Sequence, residues 1–151
     1  MRGHVLQWVL RSLDGAAEAL PWRRGRLGAR HLRTGRRGED DAYFWLRRQG
    51  YVMVARNWRS PRRRGEVDLI GWEAETLCFI EVKTRSRHDL VTAEAAVDVS
   101  KQRELQEMGA EYLRRLRGPA PAFRFDVVTV YYESNDRPAI TLLRNAFPNA
   151  G

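Results

Sequence analysis

The chain has 151 residues, room for one domain but not for two catalytic ones. With 43% apolar and 30% charged residues it has the balance of an ordinary globular protein, which excludes wholesale disorder. No apolar run approaches the roughly 20 residues that a membrane-crossing helix requires, which excludes a helical membrane protein.

The formal charge is +8, from 27 basic and 19 acidic residues. Lys83 and Lys101 are the only lysines, so 25 of the basic residues are arginines. Residues 1–37 hold nine arginines against Asp14 and Glu18, and the rest of the chain is nearly balanced. Arginine clusters bind phosphates through counterion release and paired hydrogen bonds, so nucleic acid is the leading partner class. A general bias towards arginine would explain the ratio but not the clustering. Cys78 is the only cysteine, which excludes an intramolecular disulfide and a cysteine zinc cluster and fits a reducing cytoplasm. His4, His31 and His88 lack metal-ligand spacing. The first eleven residues resemble an export signal superficially. Their apolar stretch is broken by Gln7 and stopped by Arg11 and Asp14, so a cytoplasmic protein is expected.

In chain order, Val5, Leu6, Val9, Leu10, Leu13, Ala17 and Leu20 recur at helical spacing, predicting a short amphipathic helix over residues 4–20 ended by Pro21. Residues 21–37 read as a basic linker. Together residues 1–34 form a basic extension, and residues 35–148 form the domain. Gly35 to Gln49 suits a helix with Ala42, Trp45 and Leu46 inward and Gly50 as its terminator. Three strands follow: Tyr51 to Asn57, Glu66 to Trp72 and Leu77 to Lys83, the last two joined by a tight turn at Glu73-Ala74-Glu75. After a polar loop over residues 84–92 come a short helical piece at 93–97 and a longer helix capped by Ser100, with Leu105, Met108, Tyr112 and Leu116 as its stripe. Phe123 to Tyr131 alternates as a fourth strand, and Ile140 to Leu143 makes an edge strand. Helix, three strands, helix, strand predicts an α/β fold with a mixed sheet of four to five strands.

The hairpin carries the chemistry. If its reversal centres on residues 74 and 75, Asp68 falls opposite Glu81, and Lys83 shares the Glu81 face because strand side chains alternate with period 2. Two carboxylates and an ammonium then converge. Like charges facing each other across paired strands are unfavourable by about 1 kcal/mol or less, so the arrangement invites a cation. Oxygen ligands on a rigid hairpin suit Mg²⁺ or Mn²⁺. The competing reading is a solvated sheet face whose charges pair as salt bridges.

The stretches Gly65-Glu66-Val67-Asp68-Leu69-Ile70 and Phe79-Ile80-Glu81-Val82-Lys83-Thr84-Arg85 resemble the bipartite PD-(D/E)XK signature of restriction-endonuclease-like nucleases. Further matches occur in order: residues 35–42, Gly50-Tyr51, Ala55-Arg56-Asn57, Lys101-Gln102, residues 124–128 and Asn145-Ala146-Phe147. With these, residues 27–148 resemble the bacterial YraN family. That resemblance implies a restriction-endonuclease-like αβββαβ core similar to archaeal Holliday junction resolvases. It implies a metal-dependent endonuclease acting on DNA, branched DNA included, with Mg²⁺ or Mn²⁺ held by Glu39, Asp68 and Glu81. Lys83 is implied as the catalytic lysine and Gln102 as a polar helix residue beside the site.

Ordinary roles compete for some of these. An acid in the first turn of a helix is favoured by the dipole, which would account for Glu39, and Gln102 would serve equally as a solvated helix-start residue. Asp126 reads as structural. The loop after Arg85 and the long basic arm depart from the family pattern without touching the acidic set. Arg36, Arg37, Arg59, Arg62, Arg63, Arg64 and Arg85 are candidate nucleic-acid contacts. Trp45, Trp58 and Trp72 read as core before base-stacking platforms, and Cys78 as a buried apolar residue. A two-fold branched substrate would call for a homodimer. The competing class is a non-catalytic nucleic-acid-binding module on the same fold.

Overall fold

The β-hairpin predicted from the alternation is the centre of the sheet. A computed structural model describes residues 29–86, 97–133 and 137–149. The expected helix over residues 4–20 and the short helical piece before Val97 lie outside the described residues, as does most of the polar loop.

Five strands, β1 (Val52–Trp58), β2 (Val67–Glu73), β3 (Thr76–Ser86), β4 (Phe123–Tyr132) and β5 (Pro138–Phe147), lie in the order β1-β2-β3-β4-β5. Only β3 and β4 run parallel. Their connection carries helix α2 (Val99–Arg115), as a parallel pair requires a long crossover. Helix α1 (Ala29–Arg48) precedes the sheet. The fold is therefore α/β with a mixed five-stranded sheet, compatible with the restriction-endonuclease-like architecture.

The helices cover opposite faces. Ala42 and Leu46 of α1 are buried with Leu69, Ile80, Val82, Val128 and Val130. Leu105, Met108 and Tyr112, the predicted stripe of α2, are buried with Ile70, Phe79, Phe125 and Phe147. Phe125 stacks between Phe79 and Phe147, with ring centroids at 5.5 and 5.0 Å. Removing such a buried ring costs about 3–5 kcal/mol, so this stack anchors the strands that carry the acids. Trp72 and Cys78 are buried, and Trp45 and Trp58 pack against the two cores, in keeping with the core reading.

Some boundaries differ from expectation. Helix α1 begins at Ala29 rather than Gly35, so the last part of the basic segment is helical. Arginine is a good helix former, and intervening glycines lower helix propensity without forbidding it. The cap of α2 is Asp98, not Ser100: the Asp98 carboxylate accepts the Lys101 N–H at 2.9 Å and the Ser100 hydroxyl at 2.7 Å. Strand β3 runs on through Thr84 to Ser86, supported along its whole length by β4. Strand β5 is ten residues long, with a bulge near Phe125. Gly50 ends α1 as predicted, with φ 93° and the Tyr51 N–H donating to the Leu46 carbonyl.

The approach of α1 to the sheet depends on Gly38. A Cβ there would lie 1.9 Å from Thr84 Oγ1. The missing side chain lets the turn bearing Glu39 rest directly on β3.

Candidate functional site

The hairpin register sets the site. Pairs run from Glu73 with Thr76 to Leu69 with Ile80, around a two-residue turn in which Ala74 has φ 51°. One step further, that register would set Asp68 opposite Glu81, the arrangement expected from the sequence, but the backbone pairing ends at Leu69 and Ile80. Here the Asp68 side chain enters the ladder: its Oδ2 accepts the Val82 N–H at 2.8 Å.

Glu81 is 4% exposed, beside the aromatic core. Its Oε1 accepts from Lys83 Nζ at 2.7 Å. Its Oε2 is buried and makes no hydrogen bond. The Asp68 carboxyl is pushed up to about 8, first by burial and then by the Glu81 charge, although the Val82 N–H pulls it down. A buried and a half-buried acid thus share a place with too few donors. Leaving a buried carboxylate oxygen without a partner is costly, and a bound cation would relieve it.

Glu39 approaches from α1 and helps to raise Asp68. Its carboxylate, however, is engaged by Asn57 Nδ2 at 2.9 Å, and the same amide group reaches Glu66 Oε1 at 3.0 Å. Asn57 stands at φ 47°, a left-handed conformation that asparagine tolerates better than most residues, and this turns its amide between the two acids. Neighbouring Arg56 bonds Asp40 and lies 4.7 Å over the Tyr43 ring, fastening α1 to β1. Among the described residues no three Asp, Glu, His or Cys side chains gather closely enough to hold a metal ion. The three predicted carboxylates are therefore neighbours rather than one ligand cage. Asp68 and Glu81 by themselves still fit Mg²⁺ or Mn²⁺, because such ions need only one or two carboxylates when water and phosphate oxygens supply the rest.

Gln102 is placed at the start of α2, where its side chain donates to the Val97 carbonyl at 3.0 Å. Asp126, on β4 level with Ile80, is held by Arg124 at 2.8 and 3.0 Å and by the Asn145 N–H at 2.9 Å. This is the structural role read from the sequence.

Lys101 was not singled out for the site, yet it belongs there. Its Nζ lies 3.6 Å from Glu81 Oε2 and 2.7 Å from Glu104 Oε1. Burial works against its charge, but Glu104 and then Glu81 hold the ammonium above the ordinary lysine value. The signal was present in the composition: a chain that otherwise uses arginine has two lysines, and both meet Glu81. Asn57 and Glu66 were missed as well, and no local pattern marks a left-handed asparagine.

The arginines divide into groups. Arg59, Arg63 and Arg64 line a shallow cleft of about 430 Å³ that also touches Gly65, Glu66 and Glu104, adjoining the Lys101 side of the site. Arg59 pairs with Glu66, Arg63 with Glu107 at 2.9 Å, and Arg62 approaches Glu111 at 3.7 Å. Arg36 and Arg37 are on the exposed side of α1, with Arg37 4.8 Å over the Tyr132 ring. Arg85 follows Glu81 and Lys83 along one face of β3, half-buried, with its Nε unbonded. Among the described residues no helix is long and apolar enough to cross a membrane.

An α/β domain with a mixed sheet, an acidic pair at the open end of its central hairpin and a lysine two residues after the second acid is the class that fold and site define together. A family model described as uncharacterised protein family UPF0102 matches residues 38–130. A UPF0102 protein of Koribacter versatilis is 52% identical over 80% of this chain and 83% of its own length. One from Solibacter usitatus is 44% identical over 75% and 84%, and one from Rhodococcus opacus 41% over 79% and 99%. The chain belongs to the UPF0102 family, also called YraN, in agreement with the resemblance read from its motifs.

Proposed function

We propose that the protein is a divalent-cation-dependent endonuclease that hydrolyses DNA phosphodiester bonds. The observation that carries this reading is the pairing of half-buried Asp68 with buried Glu81, with one Glu81 oxygen unbonded and the Lys83 ammonium on the other. Asp68 and Glu81 would hold Mg²⁺ or Mn²⁺, and Glu39 would join them as a further acid only on release from Asn57. Such an ion polarises the phosphoryl oxygen and lowers the pKa of a bound water. Lys83, fixed by Glu81, offsets negative charge as it builds on the phosphate during in-line displacement. Gln102, held by the Val97 carbonyl at the start of α2, would be the polar helix residue beside the site. Arg59, Arg63 and Arg64 in the cleft, with Arg36, Arg37, Arg62 and Arg85, would take the flanking phosphates. Branched DNA is the substrate suggested by the resemblance to junction resolvases, and a homodimer in the cytoplasm would suit its two-fold symmetry.

A non-catalytic nucleic-acid-binding module is favoured by one observation: Glu39 faces Asn57 instead of joining the acid pair. Cleavage of labelled linear, single-stranded and four-way-junction DNA with Mg²⁺, Mn²⁺ or EDTA separates the two readings. Catalysis predicts metal-dependent cutting that falls by about 10²-fold or more in both Asp68→Ala and Lys83→Ala. Salt-sensitive binding without cutting, unaltered by either change, would leave the binding module.

A further inference from the structure

Lys83 and Lys101 face one carboxylate from two sides, and only one of them bonds to it. Lys83 Nζ reaches Glu81 Oε1 at 2.7 Å, whereas Lys101 Nζ stays 3.6 Å from Oε2, an oxygen that is buried and unbonded. The hydrogen bonds of Lys101 run the other way, to Glu104 Oε1 at 2.7 Å and to the Glu66 carbonyl at 3.4 Å.

The helix dipole does not favour a lysine there, although Glu104 on the next turn does. Lys101 sits in the first turn of α2, a turn with no acidic residue, where the positive end of the helix dipole opposes a cation. The chain's own preference would put arginine at the position, and an arginine fork would grip a carboxylate with two parallel bonds. A lysine is a compact charge on a flexible stem that exchanges partners readily. The alternative partner is itself held in place. Gly65 leaves room for Glu104, because a Cβ at 65 would come within 2.7 Å of Glu104 Cγ.

We propose that Lys101 is a placeholder cation, which offsets the Glu81 charge from 3.6 Å while anchored on Glu104 and the Glu66 carbonyl, and which swings away from Glu81 about that anchor when a divalent ion takes Glu81 Oε2. The inference rests on the reading of Asp68 and Glu81 as cation ligands and adds a regulatory property to them. Loading becomes a competition between the ion and a tethered ammonium, so Lys101 sets the concentration of free cation at which the site fills. Glu104 has the opposite effect, because it stabilises the withdrawn ammonium.

Calorimetric titration of Mn²⁺ into the nucleic-acid-free protein tests this without any cleavage assay. Lys101→Met is expected to bind Mn²⁺ about fivefold or more tightly than the wild type, and Glu104→Gln to bind it more weakly. Melting in EDTA checks that each variant is folded. A merely structural role would weaken binding in both variants, and that result, or unchanged affinity in a folded Lys101→Met, overturns the proposal. Should Lys101→Met fail to fold, tighter or unchanged binding by Glu104→Gln overturns it equally. Asp68→Asn keeps the two levels apart. If the wild type binds no Mn²⁺, or Asp68→Asn binds it equally well, the cation-site reading falls and the placeholder with it. If the wild type binds and Asp68→Asn does not, only the lysine's role is decided by the other two variants.

Discussion

The β2–β3 hairpin carries acids at both of its ends, in opposite settings. At the turn, Glu73 accepts from Arg144 at 2.7 Å and from Arg124, and Arg124 also grips the fully buried Asp126 and reaches the Tyr51 hydroxyl at 3.0 Å. At the open end, Asp68 and Glu81 face each other with lysines and one backbone N–H, and a buried oxygen is left over. The Arg144 bond, against some burial and with help from Arg124, lowers Glu73 to about 2. Burial and Glu81 raise Asp68 to about 8. One pair of strands therefore holds one acid strongly charged and another reluctant to be. Acids matched to arginines stabilise the fold, and acids matched to each other mark the place where something else has to bind.

The largest test of this contrast is Asp126→Ala. It takes from Arg124 one of its two acids, leaving it Glu73 and the Tyr51 hydroxyl, and orphans the Asn145 N–H, at an expected cost of about 3–5 kcal/mol in denaturant unfolding. A loss below about 1 kcal/mol would show that the network at the turn is not what holds that end together.

Asp68→Asn should behave in the opposite way. In EDTA near pH 8 the variant is expected to equal or exceed the wild type, by about 1 kcal/mol. The sign follows from proton counting. The folded carboxyl titrates near 8 and the unfolded one near 3.8, so between these values the folded state keeps a proton that the unfolded state has lost. Metal-free stability then falls as pH rises from about 4 to about 8 and levels off above that, and Asp68→Asn removes this slope. Urea unfolding at several pH values reads it directly.

The smallest effect belongs to Glu73→Gln, because the pairs of Glu73 are partly open to solvent. Its depressed pKa stabilises the fold above about 4.5, and that contribution fades as pH falls towards 2. The variant should lose about 0.5 kcal/mol at neutral pH and converge with the wild type in acid. A constant difference across this range would mean that Glu73 acts through packing rather than charge.

The two ends were also unequally legible in the sequence. Period-2 alternation and a two-residue turn determine the hairpin register, so the meeting of Asp68 with Glu81 could be read from spacing alone. The stripe of Leu105, Met108 and Tyr112 likewise announced α2. The turn-end network could not be read, because it joins residues from β2, β4 and β5 and depends on the bulge that brings the Asn145 N–H to Asp126. The start of α1 was hidden by arginines and glycines that resemble a linker, and the cap at Asp98 by a serine two residues on that bonds to it. Lys101 was legible only as a compositional exception, since its meeting with Glu81 depends on how α2 seats on the sheet.

The seating of Gly38 on Thr84 has a mechanical side. A helix in near contact with a strand through a bare backbone has no cushion of side chain to shear, so a push on one is passed to the other without slip. Arg36 and Arg37 lie on the same helix just before Gly38, and Glu39 just after it. A polyanion drawing on those guanidiniums would load the helix as a rigid rod. It would move the Glu39 carboxylate directly and, through Thr84, strain the strand that carries Glu81 and Lys83.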